Sequence, residues 1–258
     1  MRHRNILVPL LPLALLVPVA ACDQQINITA SERLESLLPS ASDYPDGYEV
    51  EAVDMAELDG TSVSTTQFDS IQPAECAEVM NEGPADLPAG AAAEGAGQVA
   101  VDSTVPSVYT YVLVSGDDEE FDFDPSAYEE MIRTCSTMTV VSEGIEMEAT
   151  LRSDDSPELP DPGGKFVMEL SAEGLDMAMW TAWGQVEDVH FVLIRMDMDT
   201  GVSPDRSLLS SECEGDFRAI RECQERVTEE LAQEAMDEAD TEFDAFLDIA
   251  LRDLEGGL

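Results

Sequence analysis

LDMAMWTAWGQVEDVHFVLIRMDM, residues 175–198, decides how the chain is read. It predicts two strands, Leu175 to Val186 and Val189 to Met198, with Glu187-Asp188 as the hairpin turn between them. Phe166 to Leu170 reads as a strand just before. From Phe217 to Leu254 the period changes to helical. Val227, Leu231, Met236, Ala239, Phe243, Phe246, Leu247, Ala250, Leu251 and Leu254 follow three-and-four spacing, with mostly Glu and Asp between them. This predicts a long C-terminal amphipathic helix, with a break expected near Asp240-Thr241. Strands followed by a helix with one apolar face give an α+β class: an antiparallel sheet with helices packed on one face.

Upstream the signals are shorter. Ala30 to Leu38 predicts a helix with Ser31 as N-cap and Leu34, Leu37 and Leu38 on one face. Tyr48 to Met55 reads as an imperfect strand. Pro73 suits a helix start, so Gln72 to Met80 is read as helical. Gly83 to Gly97 reads as a loop rich in Ala, Gly and Pro. Gln98 to Asp102 and Val108 to Val114 read as adjacent strands. Asp124-Pro125-Ser126 opens a helix to about Cys135, with Tyr128, Met131 and Ile132 inward. Met138 to Leu151 reads as a strand pair turning near Ser142-Glu143-Gly144, and Ser153 to Gly164 as a loop.

The start of the chain is of another kind. Arg2, His3 and Arg4 precede an apolar run from Ile6 to Ala21, broken by Pro9, Pro12 and Pro18 and ending Val19-Ala20-Ala21-Cys22. A basic segment, a short apolar core and small residues before a cut site make a secretory signal. A cysteine directly after them makes a lipobox. Cys22 is thus the expected lipidation site, through a diacylglyceryl thioether on sulfur and a palmitate-class acyl chain on the new amine. The organisation expected is a signal peptide over residues 1–21, a tether over 22–30 and one extracytoplasmic domain over 31–258. The expected location is the outer face of a cell membrane, on a lipid anchor.

Charge excludes one class of partner. Twelve Lys plus Arg face 56 Asp plus Glu, a formal net of −44, and Lys165 is the sole lysine. Such a surface repels phosphate backbones and anionic headgroups, so no nucleic-acid partner is expected and the lipid must do the anchoring. The acids run along the whole chain, which favours solubility in a salty medium over a dedicated cation site. The apolar share, 44%, is enough for a core.

Beyond Cys22, four cysteines remain: Cys76, Cys135, Cys213 and Cys223. An even number in an exported chain implies two disulfides, with three pairings open. On one unbroken helix, ten residues would separate Cys213 from Cys223 by about 15 Å, too far to bridge. If Gly215 breaks the chain, Asp216 caps a helix starting near Phe217 and Cys213 folds back, the two can pair.

Catalytic signals are thin. The one histidine of the mature chain, His190, lies between Val189 and Phe191 in an apolar strand and reads as structural. There is no G-x-S-x-G elbow and no phosphate-binding loop. Asp117 to Asp124 and Asp197 to Gly201 supply hard oxygens, but neither is a complete calcium loop. No metal or other cofactor is expected. Tyr109, Tyr111, Trp180 and Trp183 are the candidate ligand-binding residues if the sheet faces a cleft. Met177, Met179, Met196 and Met198 read as core filler.

The order of pieces resembles a known family. Tyr44-Pro-Asp-Gly-Tyr48 leads into a strand, Pro73-Ala-Glu-Cys76 starts a helix, two strands follow, and the next helix ends Ile132-Arg-Thr-Cys135. This resembles the extracellular sensor domain of the mycobacterial kinase PknH and related actinobacterial lipoproteins. The resemblance implies a Cys76–Cys135 bridge, a sheet with helices around a cleft, and a non-catalytic ligand-sensing role. Ile132 stands where that family often has Trp. The expected function is a lipid-anchored envelope protein with a ligand-binding or sensor-like domain, partnered by an unknown small molecule or envelope protein. The alternatives are an envelope enzyme or enzyme accessory working through carboxylates, and a structural lipoprotein docking a membrane partner through its C-terminal helix.

Overall fold

The computed structural model describes residues 29–55, 68–81, 95–102, 104, 106–116, 125–142, 144–154, 159–172, 175–198, 209, 212–213 and 217–258. The expected signal peptide over residues 1–21, Cys22 and the acidic stretch 117–124 lie outside the described residues.

Nine strands form one antiparallel sheet. In chain order they are β1 (Tyr48–Ala52), β2 (Ser70–Gln72), β3 (Gly95–Asp102), β4 (Ser107–Ser115), β5 (Thr137–Ser142), β6 (Ile145–Ser153), β7 (Gly163–Ala172), β8 (Leu175–Val186) and β9 (Val189–Met198). Across the sheet the order is β1-β3-β4-β9-β8-β7-β6-β5-β2. The β8–β9 hairpin turns at Glu187-Asp188, with Val186 opposite Val189. The β5–β6 turn uses Gly144 at φ +80°, a backbone shape that side chains with a Cβ disfavour. Both sheet edges are blunted. β1 carries Glu49 and Glu51, and β2 is three residues long and runs into Pro73.

Four described helices flank the sheet: α1 (Ala30–Glu35), α2 (Ala74–Asn81), α3 (Pro125–Thr134) and α4 (Phe217–Gly257). They do not share one face, which corrects the one-sided arrangement expected from sequence. Strand β9 is buried at eight of its ten positions, without alternation. Such a strand has two apolar faces, and each needs a cover. On the first face Tyr109, Tyr111, Trp180, Phe191 and Leu193 pack with Leu34 of α1 and with Phe243, Phe246, Leu247 and Leu254 of α4. On the second face Val112, Met168, Met179, Trp183 and Ile194 belong to a cluster that includes Cys76 of α2 and Met131 of α3.

Helix α4 runs 41 residues without the break expected near Asp240-Thr241, a length of about 60 Å. Thr241 bonds back to the Asp237 carbonyl, and Asp240 faces a cation described below. The apolar stripe from Ala239 to Leu254 is buried on the sheet. The N-terminal half carries Arg218–Glu222 and Arg226–Glu230 pairs one turn apart. Cys213 is bridged to Cys223 near its start, with Cα atoms 5.6 Å apart. Cys76 and Cys135 form the second bridge, joining α2 to the end of α3, with Cα atoms 5.5 Å apart.

Helix α1 starts at Ala30 as expected and ends at Glu35, but its cap lies two residues earlier than expected. Thr29, not Ser31, is the N-cap, and Glu32 completes a capping box with it. Ser31 instead donates to the Gly95 carbonyl, tying α1 to β3. Arg33 reaches Asp188 at the β8–β9 turn, but both side chains are about half exposed. Exposed pairs contribute little. Arg33→Ala should therefore change unfolding stability by less than about 1 kcal/mol in urea melts, and a larger loss would mean the contact is not a solvated one.

Candidate functional site

The chemistry-bearing groups of the interior gather where α4 lies on the sheet. β9 supplies Arg195, placed directly between Tyr109 of β4 and Trp180 of β8 in the strand ladder. Its guanidinium carbon is 5.4 Å from each of those two ring centres. Its Nε donates to Asp197 at 2.9 Å. One Nη donates to the Tyr109 hydroxyl at 3.1 Å, to the Ala239 carbonyl of α4 at 2.9 Å and to Glu242 at 3.0 Å. Asp197 also accepts from the Ser107 hydroxyl, and Ser107 accepts from Tyr48 at 2.7 Å. Burial opposes the charge on Arg195, but the bond and charge of Asp197 together with its other polar neighbours outweigh it and hold the guanidinium pKa above its ordinary value. Burial pushes the Tyr109 phenol up, so it stays protonated at neutral pH.

A second cation sits farther along α4. The Lys165 ammonium, on β7, is fully buried and is held by Asp244 at 2.6 Å, Asp154 at 2.7 Å and Asp240 at 2.9 Å. It also lies 5.3 Å from the centre of the Phe243 ring. Burial would depress its pKa, but the bonds from Asp154, Asp244 and Asp240 raise it instead. The carboxylates are pushed apart. Burial raises Asp244, with Lys165 offsetting only part of it. At Asp154 the same burial is outweighed by the Lys165 bond and charge, and the pKa falls. Acids with diverging pKa values can mark an acid–base pair. Here they converge on the Lys165 Nζ, which fills the space a reacting group would need, so what the arrangement does is fasten a helix to a sheet.

The four aromatic candidates are all buried, and the sheet separates them. Tyr109, Tyr111 and Trp180 lie under α4, whereas Trp183 lies on the opposite face. Spacing explains the split, because residues 180 and 183 are an odd number apart and a strand alternates faces. Tyr44, Tyr48 and Phe246 close around Tyr109, with ring centres 6.1, 5.2 and 5.0 Å from it. His190 is buried on the second face beside Val114 in the ladder. Asp197, the start of one calcium candidate, is engaged by Arg195, and residues 199–201 of that candidate lie outside the described residues. A shallow, open depression is lined by Glu146, Met147, Glu148, Ser171 and Ala172. Among the described residues no group of three or more His, Cys, Asp or Glu is arranged to hold a metal. No described helix is long and apolar enough to cross a membrane.

No family profile matches the chain, and no curated protein does. Solved structures do. The chain is similar to the extracellular domain of PknH from Mycobacterium tuberculosis. That match covers 79% of this chain and 96% of the other at 11% identity, with a TM-score of 0.41. A second similar structure is an Rv0999 ortholog from Mycobacterium smegmatis, with a TM-score of 0.37 and 14% identity over 64% of this chain and 80% of the other. The PknH extracellular domain, to which the sequence resemblance points, is thus among the similar structures. At these scores the PknH domain and the Rv0999 ortholog say nothing about what this chain binds.

Sequence reasoning missed the two buried cations as a pair. Lys165 stood out as the sole lysine, and Arg195 interrupts the apolar run HFVLIRM. In so acidic a chain, a cation inside an apolar strand has to be met by acids, and the polar positions Asp240, Glu242 and Asp244 inside the α4 stripe were the matching half of that signal.

Proposed function

We propose that this chain is a lipid-anchored, extracytoplasmic binding or sensor domain rather than a catalyst. The observation that carries the reading is the pair of disulfides in a chain whose apolar leader ends Val19-Ala20-Ala21-Cys22. Disulfides persist in oxidising compartments outside the cytoplasm. Thr29, the cap of the first described helix, follows Cys22 by seven positions. At about 3.3–3.6 Å per residue such a tether keeps the domain within roughly 25 Å of the lipid. The convergence of Asp154, Asp240 and Asp244 on a lysine, not on open space, favours binding over carboxylate catalysis. Docking a partner through the apolar stripe of α4 gains no support, because the sheet already covers that stripe from Ala239 to Leu254.

Cys22→Ala should move the protein from the membrane fraction to the soluble one when cells are fractionated. Retention of the variant in the membrane would overturn the anchoring. Native mass spectrometry of protein purified gently from its own host should show a reproducible added mass, the signature of a bound ligand. Turnover of a small-molecule panel by the same preparation would overturn the non-catalytic part.

A further inference from the structure

The second sheet face is rich in methionine throughout, with Met55, Met131, Met138 and Met147 in its cluster, and five more are neighbours on three adjacent strands. Met168 on β7 stands opposite Met179 on β8, and Met179 stands opposite Met196 on β9. In the next row Met177 stands opposite Met198. Alternation puts all five on the side away from α4, where Met168, Met179, Met177 and Met196 join one cluster. Exposure rises along the patch. Met168 and Met179 are buried, Met177 and Met196 are partly buried, and Met198 is 40% exposed.

We propose that Met177, Met179, Met196 and Met198 form a binding site for a soft monovalent metal ion, Cu(I), for which Ag(I) is a redox-inert probe. Two adjacent ladder pairs set the frame. Opposite residues hold their Cβ atoms about 4.5–5.5 Å apart, and same-face neighbours along a strand are about 7 Å apart. A methionine side chain has three rotatable bonds and a polarisable sulfur. Three rotatable bonds give each of these side chains the reach to turn its sulfur toward the middle of this frame. Thioether sulfur selects Cu(I) among the biological metals, whereas calcium and magnesium want oxygen. The four cysteines beyond Cys22 are tied up as disulfides, so no thiolate of the folded body competes. A rigid antiparallel ladder fixes the donors, Met198 opens the site to solvent, and the net charge of −44 draws cations toward it. Simple gap filling accounts for Met168 and Met179 in the interior. It gives no reason to set Met198 in water beside Met177.

The site gives the binding reading a ligand class but does not depend on the lipid anchor, so the fractionation test and a metal titration fail separately. The full chain, purified in detergent, would be titrated with Ag(I) and followed by native mass spectrometry, then challenged with Cu(I) held by a competing chelator. One ion per chain is expected. A thioether has no proton to lose, so affinity should hold within twofold from pH 7 to pH 5, unlike binding to deprotonated ligands. Met177→Leu with Met198→Leu should weaken binding at least tenfold while circular dichroism and melting stay as in the wild type, because leucine conserves volume. Met198→Leu alone, at an exposed position, should also weaken it and keeps the test valid if the double variant folds poorly. Binding that survives both variants, affinity that falls with acid as carboxylate binding would, or no retained ion each overturns the site.

Discussion

Arg195→Met is expected to lower unfolding stability by about 4 kcal/mol. Asp197 is 8% exposed, and its hydrogen-bond donors include the Arg195 Nε and the Ser107 hydroxyl. Removing the guanidinium leaves that carboxylate buried beside a single neutral donor, and it strips a bond from the Ala239 carbonyl of α4. Stranding one partner of a buried pair is much costlier than the net worth of the pair, because the remaining charge keeps its desolvation penalty. The packing loss is smaller, since methionine keeps most of the stem volume between Tyr109 and Trp180. Urea unfolding should show a lower midpoint with an unchanged slope. The double variant Arg195→Met, Asp197→Leu should recover most of the loss, because replacing both partners by apolar groups removes the orphaned charge. Trp180 fluorescence reports the same site, since the guanidinium lies over its ring. A loss below about 1 kcal/mol in the single variant would mean that the pair behaves as a solvated surface contact.

The contrast with Arg33 is one of burial, not of chemistry. Both arginines meet an aspartate at about hydrogen-bond distance, yet the Arg33 and Asp188 side chains are 42% and 51% exposed and those of Arg195 and Asp197 are 6% and 11% exposed. Water supplies an alternative partner in the first case and none in the second. A chain with so few cations spends two of them under one helix. The electrostatics of this fold are thus concentrated at the α4–sheet contact while the outer surface stays strongly acidic.

The parts legible in the sequence were those with long, undisturbed periods. The β8–β9 hairpin is bounded as expected because Glu187-Asp188 is the one polar break between two apolar runs. The phase of α4 is as expected over its C-terminal half, where Met236, Ala239, Phe243, Phe246, Leu247, Ala250, Leu251 and Leu254 all pack on the sheet. The break expected at Asp240-Thr241 is absent because a polar pair inside a helix is not a boundary when one member, Asp240, is a partner of Lys165. β2 was missed because three residues carry no period. Helices on both faces were missed although the run from Val189 to Arg195 lacks alternation, and a strand buried on two faces needs two covers. At the candidate site, the odd spacing of Trp180 and Trp183 already separated them. What no periodicity could supply was the pairing of Lys165 and Arg195 with acids on a helix some 45 to 80 residues later.

Lys165→Met should cost about 3 kcal/mol at pH 7, and the loss should shrink as pH falls. The size is at the low end for a broken buried pair because the carboxylates keep some water: Asp154, Asp240 and Asp244 side chains are 23%, 29% and 43% exposed. The sign follows from the direction of each shift. Lys165 is raised, so its contribution is present below the ordinary lysine value of about 10.4 and is lost as pH rises through the folded value. Asp154 is lowered, so its contribution is present above the ordinary aspartate value of about 3.9 and is lost on acidification. The wild-type cluster therefore stabilises most between those limits. Without the ammonium, three carboxylates face one another with no cation between them. Protonation relieves that repulsion in the native state, which then binds more protons than the unfolded chain, and the variant gains stability as pH drops toward 4. Repulsion across the rest of the acidic surface relaxes equally in both proteins and cancels in the difference. Paired urea melts at pH 7, 5.5 and 4 would measure it. A cavity left by the lost side chain would give a deficit constant across those pH values. A constant deficit would show that Lys165 serves by packing on Phe243 and not by neutralising the acids that α4 brings to the sheet.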